Sequence, residues 1–428
     1  MWFSTSGAPS SERAVFFRPR YDEAMKFLLF ASLAAGAADW PTWRGPAHNG
    51  VSTEKAPIAW TKDHAKWRVP LPEANNSTPI VYGDKIFLAQ ARKKTGERLL
   101  LCLDRNTGKQ LWQAGFTYNE PEPTHETNPY ASASPVTDGK LVIVWLGSSG
   151  LAAFDFNGKQ VWHRDLGKQR HTWGYGSSPT LAGNRVYLNF GPGDRSFVAA
   201  FDKATGKTLW QNEVKPGKGQ KIGNWSLDDT WGSWSSPLMI RSDGKEQIVV
   251  TLPETVIAYE PATGEKLWSA PGLGTLIYPS PVFDGETLFV ASGYGGPNFA
   301  IRPGAQSPKW RREQGRQMIG TGVVHNGRLY TIANNGVADC ADMSTGELKW
   351  SGRLPASTVW SSPVLSDGKI YMMNQTGEVF VLATGDEFKI LASTKLDEAA
   401  NASVVIAGGD LYLRTHEALW RISQPQKK

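Results

Sequence analysis

The stretch Ala199-Ala200-Phe201-Asp202-Lys203-Ala204-Thr205-Gly206-Lys207-Thr208-Leu209-Trp210 decides the fold, because copies of it recur along the chain. Asp104 to Trp112, Glu260 to Trp268 and Asp342 to Trp350 repeat the acid, the Thr-Gly pair and the Trp at the same spacing. A copy one residue shorter runs from Asp155 to Trp162, and Ala300 to Trp310 keeps the spacing but loses the acid and Thr-Gly. Thr-Gly supplies a tight turn with a residue at positive φ, and the acid before it can accept the turn's free N–H groups. The Trp offers a flat surface for packing against a neighbouring unit.

A second phrase precedes each copy: a Ser-Pro or Thr-Pro start, an apolar pair, an Asp-Gly-like turn and another apolar run. It begins at Thr78, Ser134, Ser178, Ser236, Ser280 and Ser362, with weaker versions at Thr321-Gly322 and Ala402-Ser403. Asp138-Gly139, Asp284-Gly285, Asn326-Gly327 and Asp367-Gly368 are hairpin turns between these runs. Each unit therefore reads as four strands. One such sheet cannot bury both faces alone, so units must stack, and a ring also protects their edges.

Trp112, Trp162, Trp210, Trp268, Trp310 and Trp350 mark six units. A seventh runs from Ser362 to about Leu391, with Phe388 near the Trp position. The eighth begins near Ser403 and stops at Trp420-Arg421-Ile422, one strand short. Ala65-Lys66-Trp67-Arg68-Val69 resembles the missing outer strand. The chain is thus predicted to be all-β: a single eight-bladed propeller of four-stranded antiparallel blades, closed by its N-terminal strand.

Ala-x-Asp-x-x-Thr-Gly-x-x-x-Trp is similar to the tryptophan-docking motif of pyrroloquinoline-quinone-type (PQQ-type) propellers. The opening Trp40-Pro41-Thr42-Trp43-Arg44-Gly45-Pro46, followed by Asn49-Gly50 and Ser52, resembles the start of secreted bacterial PQQ-like proteins. The resemblance covers roughly residues 40–422. It implies that the six Trp listed above by number are structural, and it leaves function open between cofactor-free scaffolds and quinoprotein dehydrogenases.

Residues 25–38 combine Lys26, a short apolar run and the small triplet Ala35-Gly36-Ala37, the pattern of a secretory signal peptide. The run is too short to span a bilayer. Residues 1–37 are read as the signal region, with Met25 as the true start, and 38–428 as the propeller. No Cys follows the apolar run, so no lipid anchor is expected. Cys102 and Cys340 hold equivalent places in different units, which argues against a disulfide and for inert packing.

The net charge of +6 carries no long Lys/Arg run, and Arg92-Lys93-Lys94 sits in a turn, so nucleic acid is not an expected partner. There is no P-loop, zinc-protease or Gly-x-Ser-x-Gly motif. Chemistry must therefore be sought in the connectors between blades. Those at 113–133, 163–177 and 211–235 are long and consecutive. They carry His125, Glu126, Asn128 and Tyr130; then Arg170, His171, Trp173 and Tyr175; then Trp225, Asp228, Asp229, Trp231 and Trp234. Tyr278 and Trp360 precede later inner strands. A ring of aromatic planes with a few carboxylates, amides and an Arg suits a flat or sugar-like ligand. Aromatic residues recurring before Ser-Pro also suit simple plugging of the channel.

The leading expectation is a secreted or periplasmic, monomeric, non-catalytic module binding a protein or glycan partner in the cell envelope, with no cofactor and no metal. The alternative is a dehydrogenase of alcohols or sugars using PQQ and calcium. Such relatives carry adjacent cysteines over the cofactor, and this chain has none. A sugar hydrolase or lyase rests only on the Trp-rich rim.

Overall fold

The computed structural model describes residues 39–355 and 358–424. The signal-peptide reading and the Met25 start lie outside the described residues. Within them the chain is an eight-bladed propeller of four-stranded antiparallel blades. Blade 1 is built from Ile80–Tyr82, Lys85–Arg92, Glu97–Asp104 and Gln110–Thr117. Blades 2 to 7 follow in chain order, their inner strands starting at Val136, Thr180, Leu238, Val282, Val323 and Val364. The two middle strands of blade 1 are buried along nearly their whole length, while its outer strand alternates half-buried and exposed positions. That is the pattern of sheets covered on both faces by neighbouring blades.

Blade 8 takes Val405–Ala407, Asp410–Arg414 and Ala418–Ile422 from the C-terminal end. Its outer strand is Ala65–Pro70, paired antiparallel to Ala418–Ile422. The ring is therefore closed as the sequence predicts. The seam is apolar: Trp60, Leu71, Val81, Leu101, Val404, Leu413 and Trp420 share one buried cluster spanning blades 7, 8 and 1.

The recurring Trp lock each blade to the next. The indole N–H of Trp112 donates to the Phe156 carbonyl (3.0 Å), Trp162 to Lys203 (2.8 Å), Trp210 to Pro261 (3.0 Å), Trp310 to Met343 (2.9 Å) and Trp350 to Gly385 (2.8 Å). Trp67 does the same for blade 8, donating to Arg105 of blade 1 at 3.1 Å. Trp268 is the exception: the next blade has lost its Thr-Gly turn, and the indole donates instead to Gln247 of its own blade at 2.6 Å.

The turn glycine serves two ends at once. Gly206 has φ +69°, and a Cβ there would stand 2.6 Å from the Trp162 ring. Gly206→Ala should therefore cost about 2–4 kcal/mol, adding left-handed strain to a clash in a filled interface. Gly183→Ala, at φ +58° with open space around it, should cost only about 1 kcal/mol. Urea unfolding of the two variants checks the difference; equal losses would mean that the Trp contact matters little.

Cys102 and Cys340 are buried and free, in blades 1 and 6. Burial pushes the Cys102 thiol up to about 12, which keeps it protonated and inert.

Candidate functional site

Where each innermost strand enters the channel, its first backbone N–H has no ladder partner. In all eight blades a hydroxyl solves this. Thr78 N–H donates to Ser134 Oγ, and so on through Ser178, Ser236, Ser280, Thr321, Ser362 and Ser403, whose N–H returns to Thr78 Oγ1. The eight bonds are 2.8–3.1 Å long and form a closed circle around the channel. This explains why the hydroxyl persists at Thr321-Gly322 and Ser403-Val404 although the proline does not. Each hydroxyl oxygen accepts a blade-to-blade bond, and among the described residues no protein acceptor is found for any of the eight hydroxyl protons.

The N-terminal segment closes the channel on the other side. Trp40 pairs with Val81 of blade 1, and the Pro41 carbonyl accepts from Thr137 of blade 2 (3.0 Å). Val51–Ser52 then runs parallel to the inner strand of blade 7. Between them Arg44, 2% exposed, donates to the carbonyls of Gly322 and Pro363 at 2.7 Å each. Among the described residues no carboxylate pairs with it; desolvation pulls its guanidinium down to about 9, still charged at neutral pH. Gly50 makes room for this, since a Cβ there would stand 2.1 Å from the guanidinium.

Above the hydroxyl circle lies a cup of about 320 Å³, with Trp43 of the N-terminal segment in its lining. Trp173, Trp225, Trp234, Trp360, Tyr278 and Tyr294 supply its aromatic walls, and Asn76, Asn128, Gln317, Asn334 and Asn401 its amides. Among the described residues no Asp, Glu, Lys, Arg or His belongs to the lining. The volume is at the low end of the roughly 300–1,000 Å³ usual for small-molecule sites.

The three long connectors meet over this cup. Asn128 Nδ2 donates to the carbonyls of Trp173 (2.7 Å) and Tyr175 (3.0 Å). Trp173 and Trp225 lie 4.3 Å apart between ring centres, and Trp234 and Tyr278 5.0 Å. Trp234 is further fixed by donating to the Gly174 carbonyl at 3.0 Å. Thr172 donates to Asp229, tying the second connector to the third.

Of the candidates read from sequence, Asn128, Trp173, Trp225, Trp234, Tyr278 and Trp360 line the cup. The others stand outside it. His125 backs Trp173 at 4.7 Å, Glu126 and Arg170 are exposed, and Tyr130 lies under the Arg98 guanidinium at 3.8 Å. Tyr175 is buried against Trp145. Asp228 pairs with Lys218 at 2.7 Å, and Trp231 covers Gly217. Desolvation works against the Asp229 charge, yet the Ser226 and Thr172 hydroxyls hold that carboxyl below its usual range. His171 is buried edge-on to Trp234, its Nε2 finds no hydrogen-bond partner among the described residues, and desolvation lowers its pKa, leaving it neutral at pH 7.

Sequence reasoning passed over Trp43, the hydroxyl circle, Tyr294 and the amides of blades 1, 6 and 8. One signal was available: a polar side chain repeated at the channel end of every unit, ahead of an otherwise apolar strand.

A family model described as outer membrane protein assembly factor BamB matches residues 51–193, 95–227 and 253–427. No curated protein matches the chain. Among solved structures, BamB from Moraxella catarrhalis is 15% identical with a TM-score of 0.61, covering 85% of this chain and 98% of its own. A europium-containing methanol dehydrogenase is 12% identical with a TM-score of 0.69, covering 90% and 91%. The quinohemoprotein alcohol dehydrogenase of Comamonas testosteroni is 12% identical with a TM-score of 0.66, covering 92% and 82%. At these identities the likeness concerns the fold alone.

Proposed function

This chain belongs to the PQQ-type propeller family described as outer membrane protein assembly factor BamB, and from that premise we propose that it is a non-catalytic binding module of the cell envelope. It is exported, and it engages a protein or glycan partner through the cup on its connector face. Among the described residues no helix is long and apolar enough to cross a membrane.

The observation that carries this reading is that, among the described residues, no Asp, Glu, Lys, Arg, His or Cys lines the cup, whose titratable groups are the phenols of Tyr278 and Tyr294. General acids, general bases and the groups that activate a nucleophile are drawn mostly from those residue types, and burial pushes the Tyr278 phenol well up, so that it stays protonated. The same donor set fits PQQ poorly. That cofactor is a tricarboxylate, and the calcium beside it asks for carboxylate as well as amide oxygens. Among the described residues the cup offers amides and hydroxyls, with neither a carboxylate for the cation nor a cation for the carboxylates. Among the described residues no group of three or more His, Cys, Asp or Glu is placed to hold a metal.

Titrating the purified protein with PQQ, with and without calcium, separates the two readings by absorbance and Trp fluorescence. No saturable change is expected at concentrations that saturate a quinoprotein. Stoichiometric, calcium-dependent quenching would overturn the binding-module reading in favour of a dehydrogenase.

A further inference from the structure

We propose that the cup receives the end of a neutral oligosaccharide chain, with the terminal sugar ring seated over Trp43. This rests on the binding-module reading and adds the ligand class and its orientation.

Three features of the cup select the ligand. It is uncharged, so an anionic chain would give up hydration for no countercharge, at a cost of several kcal/mol per buried ion. Its hydroxyl circle has spent an acceptor site on each backbone N–H and keeps its protons to give. A purely apolar side chain or lipid tail seated there would strand those donors, each at about 1–3 kcal/mol. The walls above are faces of Trp173, Trp225, Trp234 and Tyr278, which need an apolar surface opposite them. A neutral sugar ring has both: C–H faces for the indoles and an edge of hydroxyls and ring oxygen for the circle and the amides.

Orientation follows from the N-terminal segment. A propeller channel open at both ends could be threaded, but here residues 40–52 bridge blades 1, 2, 6 and 7 across its far end. Trp43 joins the cup lining from that segment. A chain can enter only from the connector face and must stop there. The cup therefore reads chain ends.

The test is calorimetric titration of the whole protein with neutral gluco-, manno- and xylo-oligosaccharides, with oligogalacturonate as the acidic counterpart and a short apolar peptide as the third probe. At least one neutral series is expected to bind, with one site per chain end, so that affinity per end stays constant as chains lengthen. Trp43→Ala should weaken binding about ten-fold or more, the equivalent of about 1.4 kcal/mol, while Trp43→Phe retains most of it. Because Trp43 belongs to a structural segment, Trp173→Ala gives the same readout from an independent wall. Failure of every neutral series, tighter binding of the acidic chain or the peptide, or several sites along one chain would overturn the proposal. None of these outcomes brings PQQ binding with it, so failure here is distinguishable from failure of the binding-module reading.

Discussion

A chain that begins at Leu71 is expected to fold no cooperative propeller and to associate in solution. The missing residues include the outer strand of blade 8, Ala65–Pro70, which covers the edge of Ala418–Ile422. Without it that edge presents unpaired N–H and C=O groups, a template for pairing with another chain. Arg105 loses the Trp67 indole bond, and Trp40, Ala56 and Trp60 leave the buried seam cluster. Three large aromatic side chains with a strand of backbone bonds are comparable with the whole net stability of a typical domain, about 5–15 kcal/mol. Circular dichroism melting and size-exclusion chromatography would check this, and a peptide spanning residues 39–71 should restore folding in trans. A monomer that melts cooperatively near the parent temperature would show that the ring does not depend on its N-terminal strand.

Arg414→Ala should cost about 3–5 kcal/mol, the largest effect expected of a single substitution. Arg414 is fully buried in blade 8. Its Nη1 donates to the carbonyls of Ser77 and Ala89, 2.8 Å each, and its Nη2 to Gln90 Oε1 at 2.6 Å, all in blade 1 or its entry. Desolvation lowers its pKa to about 9, so the guanidinium stays charged at neutral pH. Truncation leaves two carbonyls and an amide oxygen without their donors and opens a cavity at the seam. Arg414→Lys brings back the charge but not the fork, since an ammonium on a flexible stem does not reproduce the fixed planar geometry. It should recover less than half of the loss. Urea unfolding measures both; a loss under about 1 kcal/mol for Arg414→Ala would mean that water replaces the guanidinium easily.

Fold and site were unequally legible in the sequence, for a physical reason. Every blade must solve the same problem of a covered sheet with a tight outer turn, so Asp202-x-x-Thr205-Gly206 and Trp210 repeat and can be recognised by repetition. Even the lapse at Ala300–Trp310 was readable, although its consequence, the redirected Trp268 bond to Gln247, was not. The cup has no such redundancy. Trp173, Trp225 and Trp234 were singled out because long connectors rich in aromatics stand apart from the repeat. His171 and Tyr175 come from the same connector yet turn into the protein, and the direction of a loop side chain is set by contacts no local pattern encodes. Trp43 shows the limit most clearly. It is next to Arg44 in a segment recognised by resemblance, but its place in the cup depends on that segment crossing the channel end, a contact between residues some 300 positions apart in sequence.

The central claim is that two sets of tryptophans do different work. Trp67, Trp112, Trp162, Trp210, Trp310 and Trp350 hold each blade to the next, whereas Trp43, Trp173, Trp225, Trp234 and Trp360 line the cup. The most direct measurement is to follow isotope-labelled indole N–H resonances while adding a mixture of neutral gluco-, manno- and xylo-oligosaccharides. Saturable shifts confined to the cup indoles, with the blade-locking indoles unmoved, are the expected result. Shifts spread over the blade-locking set, or none at the cup while the ligand binds, would contradict the account.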